Sequence, residues 1–204
     1  MTGRGLRAVD VHVASRETLA PVCRDCVWWQ TSRGRQSGAD LRHVWEQRVE
    51  DEAGFFARAL LDGDDVIGWM HVAPALLVPR ALHLPAGPPS NDAFLLACAY
   101  FYDEEYLIGF QHLLQEIEYA LKVRDVPALE AFAVHDAHPD ERFRGYLREY
   151  NLFNPQVLEG NGFRRVHTGR GVDRFRLDLG TLVSVPRARR AHEAVQPAPA
   201  TQPV

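Results

Sequence analysis

Residues 93–102 read Ala-Phe-Leu-Leu-Ala-Cys-Ala-Tyr-Phe-Tyr, a nearly unbroken run of apolar and aromatic side chains. Such a run is typical of a central strand that is buried on both faces. A helix is predicted over Gly109–Arg124, because apolar residues recur there on one stripe. A further strand is predicted over Pro127–Val134. This strand, helix and strand form the centre of the predicted fold.

More elements are predicted on the N-terminal side of this centre. Leu6–Val13 alternates apolar and polar residues, as a strand does. Two further strands, Phe55–Leu61 and Val66–Ala73, flank the turn sequence Asp62-Gly-Asp-Asp65, which predicts a hairpin. The residues of Ala39–Asp51 have the spacing of an amphipathic helix.

The remaining segments are shorter or less regular. Residues 74–92 contain five prolines, so we expect an ordered but irregular excursion. The charged segment His135–Tyr150 is compatible with a helix or an ordered loop. A short helix is predicted over Pro155–Asn161. Two last strands are predicted over Phe163–Thr168 and Val172–Leu179.

Composition indicates one ordinary globular domain. The 204 residues carry a net charge of −4, with 46% hydrophobic and 25% charged residues. We assign residues 1–185 to this domain and 186–204 to a disordered tail, basic at first and then rich in Pro and Ala. The acidic balance argues against a nucleic-acid binder.

Neither a membrane span nor a secretory leader is predicted. The longest stretch without a charged residue is about fourteen residues, Val66–Pro79, which is too short for a membrane helix. No long apolar core follows the arginines at the N-terminus. We therefore expect a cytoplasmic protein that does not bind membranes.

Cys23 and Cys26 form a C-x-x-C sequence. A zinc site would need two more ligands, and only Cys98 and scattered histidines are available. A thioredoxin-like redox pair would open a helix after a strand, whereas the bulky run Val27-Trp-Trp29 follows here. We therefore predict structural thiols and no metal site, with redox sensitivity as the alternative.

Several motifs point to a family. Cys23, Cys26 and Trp29 form the pattern C-x-x-C-x-x-W, and Asp64–Pro74 contains most of a predicted hairpin. Together they resemble a subfamily of the GNAT superfamily of N-acetyltransferases. Further similar stretches are Val78–Ala81, Ser90–Leu96, Val126–Phe132 and Gly160–Phe163. The resemblance covers roughly Leu6–Leu179 and implies an α/β (α+β) fold with a mixed central sheet flanked by helices.

This resemblance implies acetyl-coenzyme A as the co-substrate, bound where the fourth and fifth strands splay apart. A backbone N–H of Ala97, Cys98 or Ala99 would polarise the thioester carbonyl. The amides at the start of the following helix would bind the pyrophosphate. The residues aligned with that loop are Leu107, Ile108, Gly109, Phe110 and Gln111. Asn151 matches an asparagine that often lies near the pantetheine arm, although it could equally cap a helix.

The chain departs from the family pattern at several positions. The family's phosphate loop is Arg/Gln-x-x-Gly-x-Gly/Ala, whereas this chain has Tyr106 at the first position and Gln111 at the last. The acidic run Asp103-Glu-Glu105 precedes the loop. Leu158 stands where the family often has a tyrosine that protonates the leaving thiolate. These departures predict weak coenzyme binding and favour an alternative, a non-catalytic binding or regulatory module.

The catalytic residues are predicted from strand positions. Glu130 lies in an apolar strand and could be the general base or a member of a structural ion pair. Tyr100 could replace the missing acid, as could Tyr102, although aromatic residues on strands are usually core. His71 and the pair His135 and His138 could lie on the substrate side.

The acceptor is expected to be an amine of a small molecule or of a protein, attacked directly in a ternary complex. Because dimers are common in the superfamily, a homodimer is among the expected assemblies.

Overall fold

The computed structural model describes residues 5–32, 38–103, 106–137 and 144–182. The strands are β1 Leu6–Val11, β2 Ala57–Asp62, β3 Asp65–Pro74, β4 Ala93–Phe101, β5 Ala128–Val134, β6 Tyr146–Leu147, β7 Leu152–Phe153, β8 Arg164–Thr168 and β9 Val172–Asp178. The helices are α1 Pro21–Arg24, α2 Ala39–Ala53, α3 Leu107–Lys122 and α4 Pro155–Gly160. The predicted tail and its boundary at residue 185 lie outside the described residues.

A single mixed sheet organises these elements. Strands β1, β2, β3 and β4 are antiparallel neighbours, and β4 pairs with β5 in parallel. Strand β9 pairs with β5 along its whole length in antiparallel, and β8 pairs with β9. The predicted mixed sheet flanked by helices is therefore confirmed.

The core lies on both faces of the sheet. On one face, α3 and α4 contribute buried residues such as Leu113, Ile117 and Leu158. On the other face, α2 contributes Trp45, which packs in the same cluster as Trp69 of β3. Because both faces are covered, β4 and β5 are buried along nearly their whole length, as the apolar run 93–102 predicts.

The excursion after β3 is held down by polar contacts. It contains two short 3₁₀ turns, Ala75–Leu77 and Ala81–His83. The indole N–H of Trp45 donates to the Leu77 carbonyl at 2.7 Å. Arg80 lies over the Trp28 ring, with its guanidinium carbon 4.2 Å from the ring centre. These contacts fix the excursion to the α2 face of the sheet.

The two ends of the sheet are not equally protected. All five residues of β8 are exposed, and among the described strands β8 pairs with β9 alone. In the described part of the chain, no helix combines the length and the apolar character needed to cross a membrane.

Candidate functional site

Strands β4 and β5 separate halfway along their length. Their register runs from Ala93 opposite Ala128 to Leu96 opposite Ala131, and no further pairing between them is present in the described chain. Beyond that point, β4 continues beside β3 and β5 continues beside β9. The two parallel strands therefore leave a gap at their carboxyl ends, the edge of a sheet where ligands commonly bind.

A β-bulge lies where the gap begins. His71 of β3 is opposite Cys98 and Val72 is opposite Leu96, so Ala97 has no partner residue on β3. A bulge leaves the extra residue outside the regular ladder and redirects the neighbouring groups. The structure thus brings Ala97, with Cys98 and Ala99 after it, to the mouth of the gap.

A cleft occupies part of this gap. Its lining residues are Ala99, Phe101, Tyr106, Phe110, Gly145, Tyr146 and Arg148. The walls are therefore the end of β4, the start of α3 and the β6 segment. The cavity volume is about 10 Å³, roughly the space of one water molecule. The cleft is therefore nearly closed in this conformation.

The rest of the gap is filled by the hairpin of β6 and β7. Phe153 pairs with Ala133 of β5, two residues after β4 has left that strand. The Tyr146 and Phe153 rings lie 4.8 Å apart, and Leu147 and Phe153 are fully buried. In the described part of the charged segment 135–150, residues 146–147 form a strand, and no helix is present. The side chains of these two residues belong to the core.

The first turn of α3 faces this cleft. The Phe110 amide donates to the Tyr106 carbonyl at 3.1 Å, so it is already engaged within the helix. Leu107, Ile108 and Gly109 precede that first helical hydrogen bond, and their amides are the ones able to bind an anion. The Gln111 amide lies one residue further into the helix.

Gly109 has a packing role here. A Cβ atom at this position would lie 2.3 Å from the Tyr106 ring and 3.3 Å from Leu60. Tyr106, which stands at the family's cationic or amide position, therefore packs directly against the surviving glycine. The close approach of the Tyr106 ring explains why a glycine is needed at position 109, whether or not a phosphate binds there.

Arg148 closes one side of the cleft. Its guanidinium carbon lies 4.0 Å from the centre of the Tyr100 ring, and one of its N–H groups donates to the Phe101 carbonyl. The other face of Tyr100 stacks on Trp69, with ring centres 4.5 Å apart and planes inclined by 6°. The predicted acid Tyr100 thus lies in an aromatic stack at the gap, and its acid role stays a prediction.

Glu130 is placed away from the gap. It is fully buried on β5 opposite Leu95, where β4 and β5 are still paired. Its carboxylate accepts hydrogen bonds from the Ser90 amide at 3.1 Å, the Ser90 hydroxyl at 2.7 Å, Arg174 at 2.8 Å and Arg176 at 3.3 Å. These four contacts favour the structural ion pair over the general base, and the base role stays a prediction.

His71 is buried, and the three cysteines are half-buried. His71 Nδ1 lies 3.1 Å from the Cys98 sulfur, and burial, with the charge of Arg42, lowers the pKa of His71 well below its usual value. Burial raises the pKa of Cys23 to about 11 and that of Cys98 further still. Thiols with such pKa values stay protonated at neutral pH and react slowly.

The side chains of His71 and the three cysteines are not part of a metal-binding cluster in the described part of the chain. All three cysteines are free, and the described residues contain no cluster of three or more His, Cys, Asp or Glu arranged to hold a metal ion. The absence of zinc stays a prediction.

His135 lies at the end of β5, on the side of β9. Its Nδ1 is 3.0 Å from the buried Asp173 carboxylate, and this hydrogen bond raises the pKa of His135. Because β9 lies on the opposite edge of β5 from β4, the imidazole is turned away from the gap. His138 lies outside the described residues.

Asn151 does not cap α4. It occupies the turn between β6 and β7 with a left-handed φ of 54°. The cap is Asn154, whose side chain accepts a hydrogen bond from the Gln156 amide at 3.0 Å. The proximity of Asn151 to the pantetheine arm stays a prediction.

Sequence reasoning did not single out four residues of the cleft, Phe101 of β4 and, in the segment between β5 and α4, Gly145, Tyr146 and Arg148. That segment has no periodicity, and an arginine in a charged stretch indicates a solvated surface more often than a site. Only the length of the segment between β5 and α4 could have drawn attention to it.

Comparisons with known proteins identify the fold of this chain. No protein-family model matches the chain, and no curated protein matches it. The chain is similar to the ribosomal-protein-S18-alanine N-acetyltransferase of Escherichia coli, with a TM-score of 0.53 and 9% identity over 90% of this chain and 100% of that one.

Two further solved structures agree. The putative acetyltransferase yncA of Salmonella typhimurium, solved with acetyl-CoA, has a TM-score of 0.54 and 11% identity over 88% of this chain and 96% of that one. A putative acetyltransferase of Acinetobacter baylyi has a TM-score of 0.55 and 13% identity over 89% and 97%. The resemblance in fold to acetyltransferases is thereby confirmed.

Proposed function

We propose that this chain, which has the GNAT N-acetyltransferase fold, transfers an acetyl group from acetyl-coenzyme A to an amine in a ternary complex. The observation that carries the proposal is the bulge at Ala97, which coincides with the point where β4 and β5 separate. A plain parallel pair needs neither feature. Together they offer backbone amides to a bound group at the carboxyl ends of two parallel strands.

The donors of this site fit acetyl-coenzyme A in kind and in position. An amide among Ala97, Cys98 and Ala99 would donate to the thioester carbonyl and stabilise the negative charge that develops there as the amine attacks. The amides of Leu107, Ile108 and Gly109 would bind phosphate oxygens, aided by the α3 dipole. The co-substrate itself supplies the activated acyl group.

The cleft must widen to admit a pantetheine arm. Arg148 is one of the residues that line it, and it donates to the Phe101 carbonyl at the β4 edge. Moving one arginine side chain costs far less than moving the buried hairpin. We therefore expect the arm to run between β4 and β6, with Arg148 displaced.

Proton transfer is assigned to the predicted candidates. The attacking amine must lose a proton and the thiolate must gain one. Tyr100 is the candidate acid, since its ring lies beside the gap. Glu130 remains the candidate base only if it exchanges one of its four donors for the amine or a water molecule.

Calorimetric titration with acetyl-coenzyme A and with free coenzyme A tests the proposal. We expect weak binding, because Tyr106 replaces a cation or amide and Gln111 replaces a glycine. The double variant Tyr106→Arg with Gln111→Gly should bind about tenfold tighter, since two effects of ~0.5–1 kcal/mol each are expected at the helix start.

The matched control adds the same charge at the far end of the same helix. Tyr119→Arg, at an exposed position of α3, should leave the affinity unchanged. Acetyl transfer to a panel of amines, followed by mass spectrometry, then tests the reaction. A double variant that still fails to bind either coenzyme form would contradict the proposal.

A non-catalytic binding or regulatory module is the second candidate. The observation that favours it is the hairpin of β6 and β7, which fills most of the gap with buried side chains. Coenzyme binding without acetyl transfer to any amine would support this candidate.

The acceptor, the homodimer and the cytoplasmic location stay predictions. Light scattering on the purified protein tests the homodimer, and a monomer at all concentrations would contradict it.

A further inference from the structure

Arg148 occupies a position that is built to hold a cation. Its guanidinium carbon lies over the Tyr100 ring, 4.0 Å from the ring centre, and the side chain donates to the Phe101 carbonyl. An aromatic face together with a carbonyl oxygen is the combination that binds guanidinium and ammonium groups. We refer to the Tyr100 ring face and the Phe101 carbonyl as the cation subsite.

Further aromatic rings extend this subsite. Tyr102 stands perpendicular to both neighbouring rings, 5.5 Å from Tyr100 and 5.9 Å from Trp69 between ring centres. Tyr102 is 60% exposed, whereas Trp69 is fully buried. The cluster of three rings is therefore buried at Trp69 and open to solvent at Tyr102.

The surrounding charge also favours a cation. Asp103 follows Tyr102 directly in the chain. The whole chain carries a net charge of −4. An acidic neighbourhood raises the local concentration of cations and disfavours anions.

The subsite lies on the strand that carries the bulge. Tyr100 and Phe101 are one to four residues after the candidate thioester donors Ala97, Cys98 and Ala99, which along a strand is a distance of roughly 3–13 Å. A molecule that brought one amine to the bulge and a second charge to the cation subsite would need a spacer of several methylene groups.

We propose that the acceptor is an amine that carries a second cationic group, a guanidinium or a further ammonium, and that this group binds the cation subsite. In the free protein the Arg148 side chain fills the subsite and must leave when the acceptor binds. The reaction of the acceptor rests on the proposed function, but its binding to the subsite does not.

The displacement has a measurable consequence. A ligand that competes with a group of the protein's own chain binds with an affinity reduced by the fraction of molecules in which the site is open. Removing Arg148 should therefore strengthen binding of a cationic amine. If Arg148 served only to stabilise the β6–β7 hairpin, removing it would not strengthen the binding of a cationic amine.

The test uses calorimetric titration of the full chain with agmatine, which carries a primary amine and a guanidinium. N-Butylacetamide, which carries no cationic group, is the matched ligand control. We expect agmatine to bind Arg148→Ala at least about tenfold tighter than the unaltered protein, and N-butylacetamide to show no change. Arg148→Gln serves if the alanine variant is poorly folded.

Two protein controls accompany the titration. Arg144→Ala removes an arginine of the same segment that pairs with Glu149 at 3.2 Å, and agmatine affinity should not change. Adding Tyr100→Leu to Arg148→Ala removes the aromatic face, and the gain in affinity should be lost.

Equal agmatine affinity in Arg148→Ala, Arg148→Gln and the unaltered protein would overturn the inference. So would a loss of acetyl-coenzyme A affinity in these variants without a change for agmatine, because it would assign Arg148 to the coenzyme phosphates. Failure of the proposed function would look different: agmatine would bind as expected, and no coenzyme would bind.

Discussion

Arginine side chains meet the β4–β5 pair at two places, and the two places differ in almost every physical respect. In the paired half, Arg174 and Arg176 contact the fully buried carboxylate of Glu130, which also accepts from Ser90. In the open half, Arg148 lies over the Tyr100 ring and donates to the Phe101 carbonyl. The first arrangement joins opposite charges away from water, and the second places a cation beside an aromatic ring at the rim of a cleft.

The two places therefore differ in whether the charged group can be replaced by another one. A buried charge that loses its partner is left without compensation, so the Glu130 cluster has to stay closed. A half-exposed cation over an aromatic ring is held by a weaker attraction, typically ~0.5–1 kcal/mol, and can be replaced by another cation. The paired half therefore fixes the strands, and the open half is suited to binding.

The largest effect is expected in the paired half. Glu130→Gln removes the negative charge that compensates Arg174 and Arg176, and breaking such a buried pair costs about 3–5 kcal/mol. Urea unfolding should show a loss in this range. A variant of unchanged stability whose acetyl transfer falls ~10²–10⁴-fold would instead assign Glu130 to general-base catalysis.

An intermediate effect is expected at Glu118 of α3, which sharpens the comparison because it is buried without a partner. Its Oε1 atom has no hydrogen-bond partner in the described structure, and burial raises the pKa of Glu118 to about 7. The folded protein thus retains a proton that the unfolded chain releases near its ordinary pKa. Stability should therefore decrease as the pH rises from about 4.5 to about 7 and level off above that.

Glu118→Gln removes this dependence. We expect urea unfolding at pH 8 to show a gain of about 1–3 kcal/mol, with little change at pH 5. Glu52→Gln, at a position paired with Arg48 on the surface of α2, should be neutral at both values. A Glu118 variant that behaves like the Glu52 control would show that Glu118 is solvated.

The smallest effect is expected in the open half. Arg148→Ala removes a cation–π contact and a hydrogen bond at the rim, so the free energy of unfolding should fall by about 1–2 kcal/mol. A loss as large as that of Glu130→Gln would make Arg148 a structural residue and would remove the distinction between the two halves.

Much of the paired half could be predicted from the sequence. The apolar run at 93–102 and the strand at 127–134 carry patterns that local sequence determines, and both strands form as expected. The ion pairs of Glu130 could not be predicted, because Ser90 and Arg174 are far away in sequence and meet it only after the sheet has formed.

The open half was less accessible to prediction. Strands β6 and β7 have two residues each, too short for any periodicity to show. Their position depends on the gap itself, which only pairing between β4, β5 and β9 defines. The helix cap illustrates the same limit, since Asn151 and Asn154 are equally good caps by residue type and the backbone decides between them.

The exposed strand β8 limits how two copies of this chain can associate. An unpaired strand edge is a template for a strand of another molecule, and sheets that stay separate protect such edges with charge. Two of its five residues are Arg164 and Arg165, and His167 follows. Arg164 pairs with Asp178, and Arg165 pairs with Glu159 and Asp173. A second β8 strand laid along this edge would have to fit around these ion pairs. The charged side chains thus protect the edge, and we expect a homodimer to use another surface.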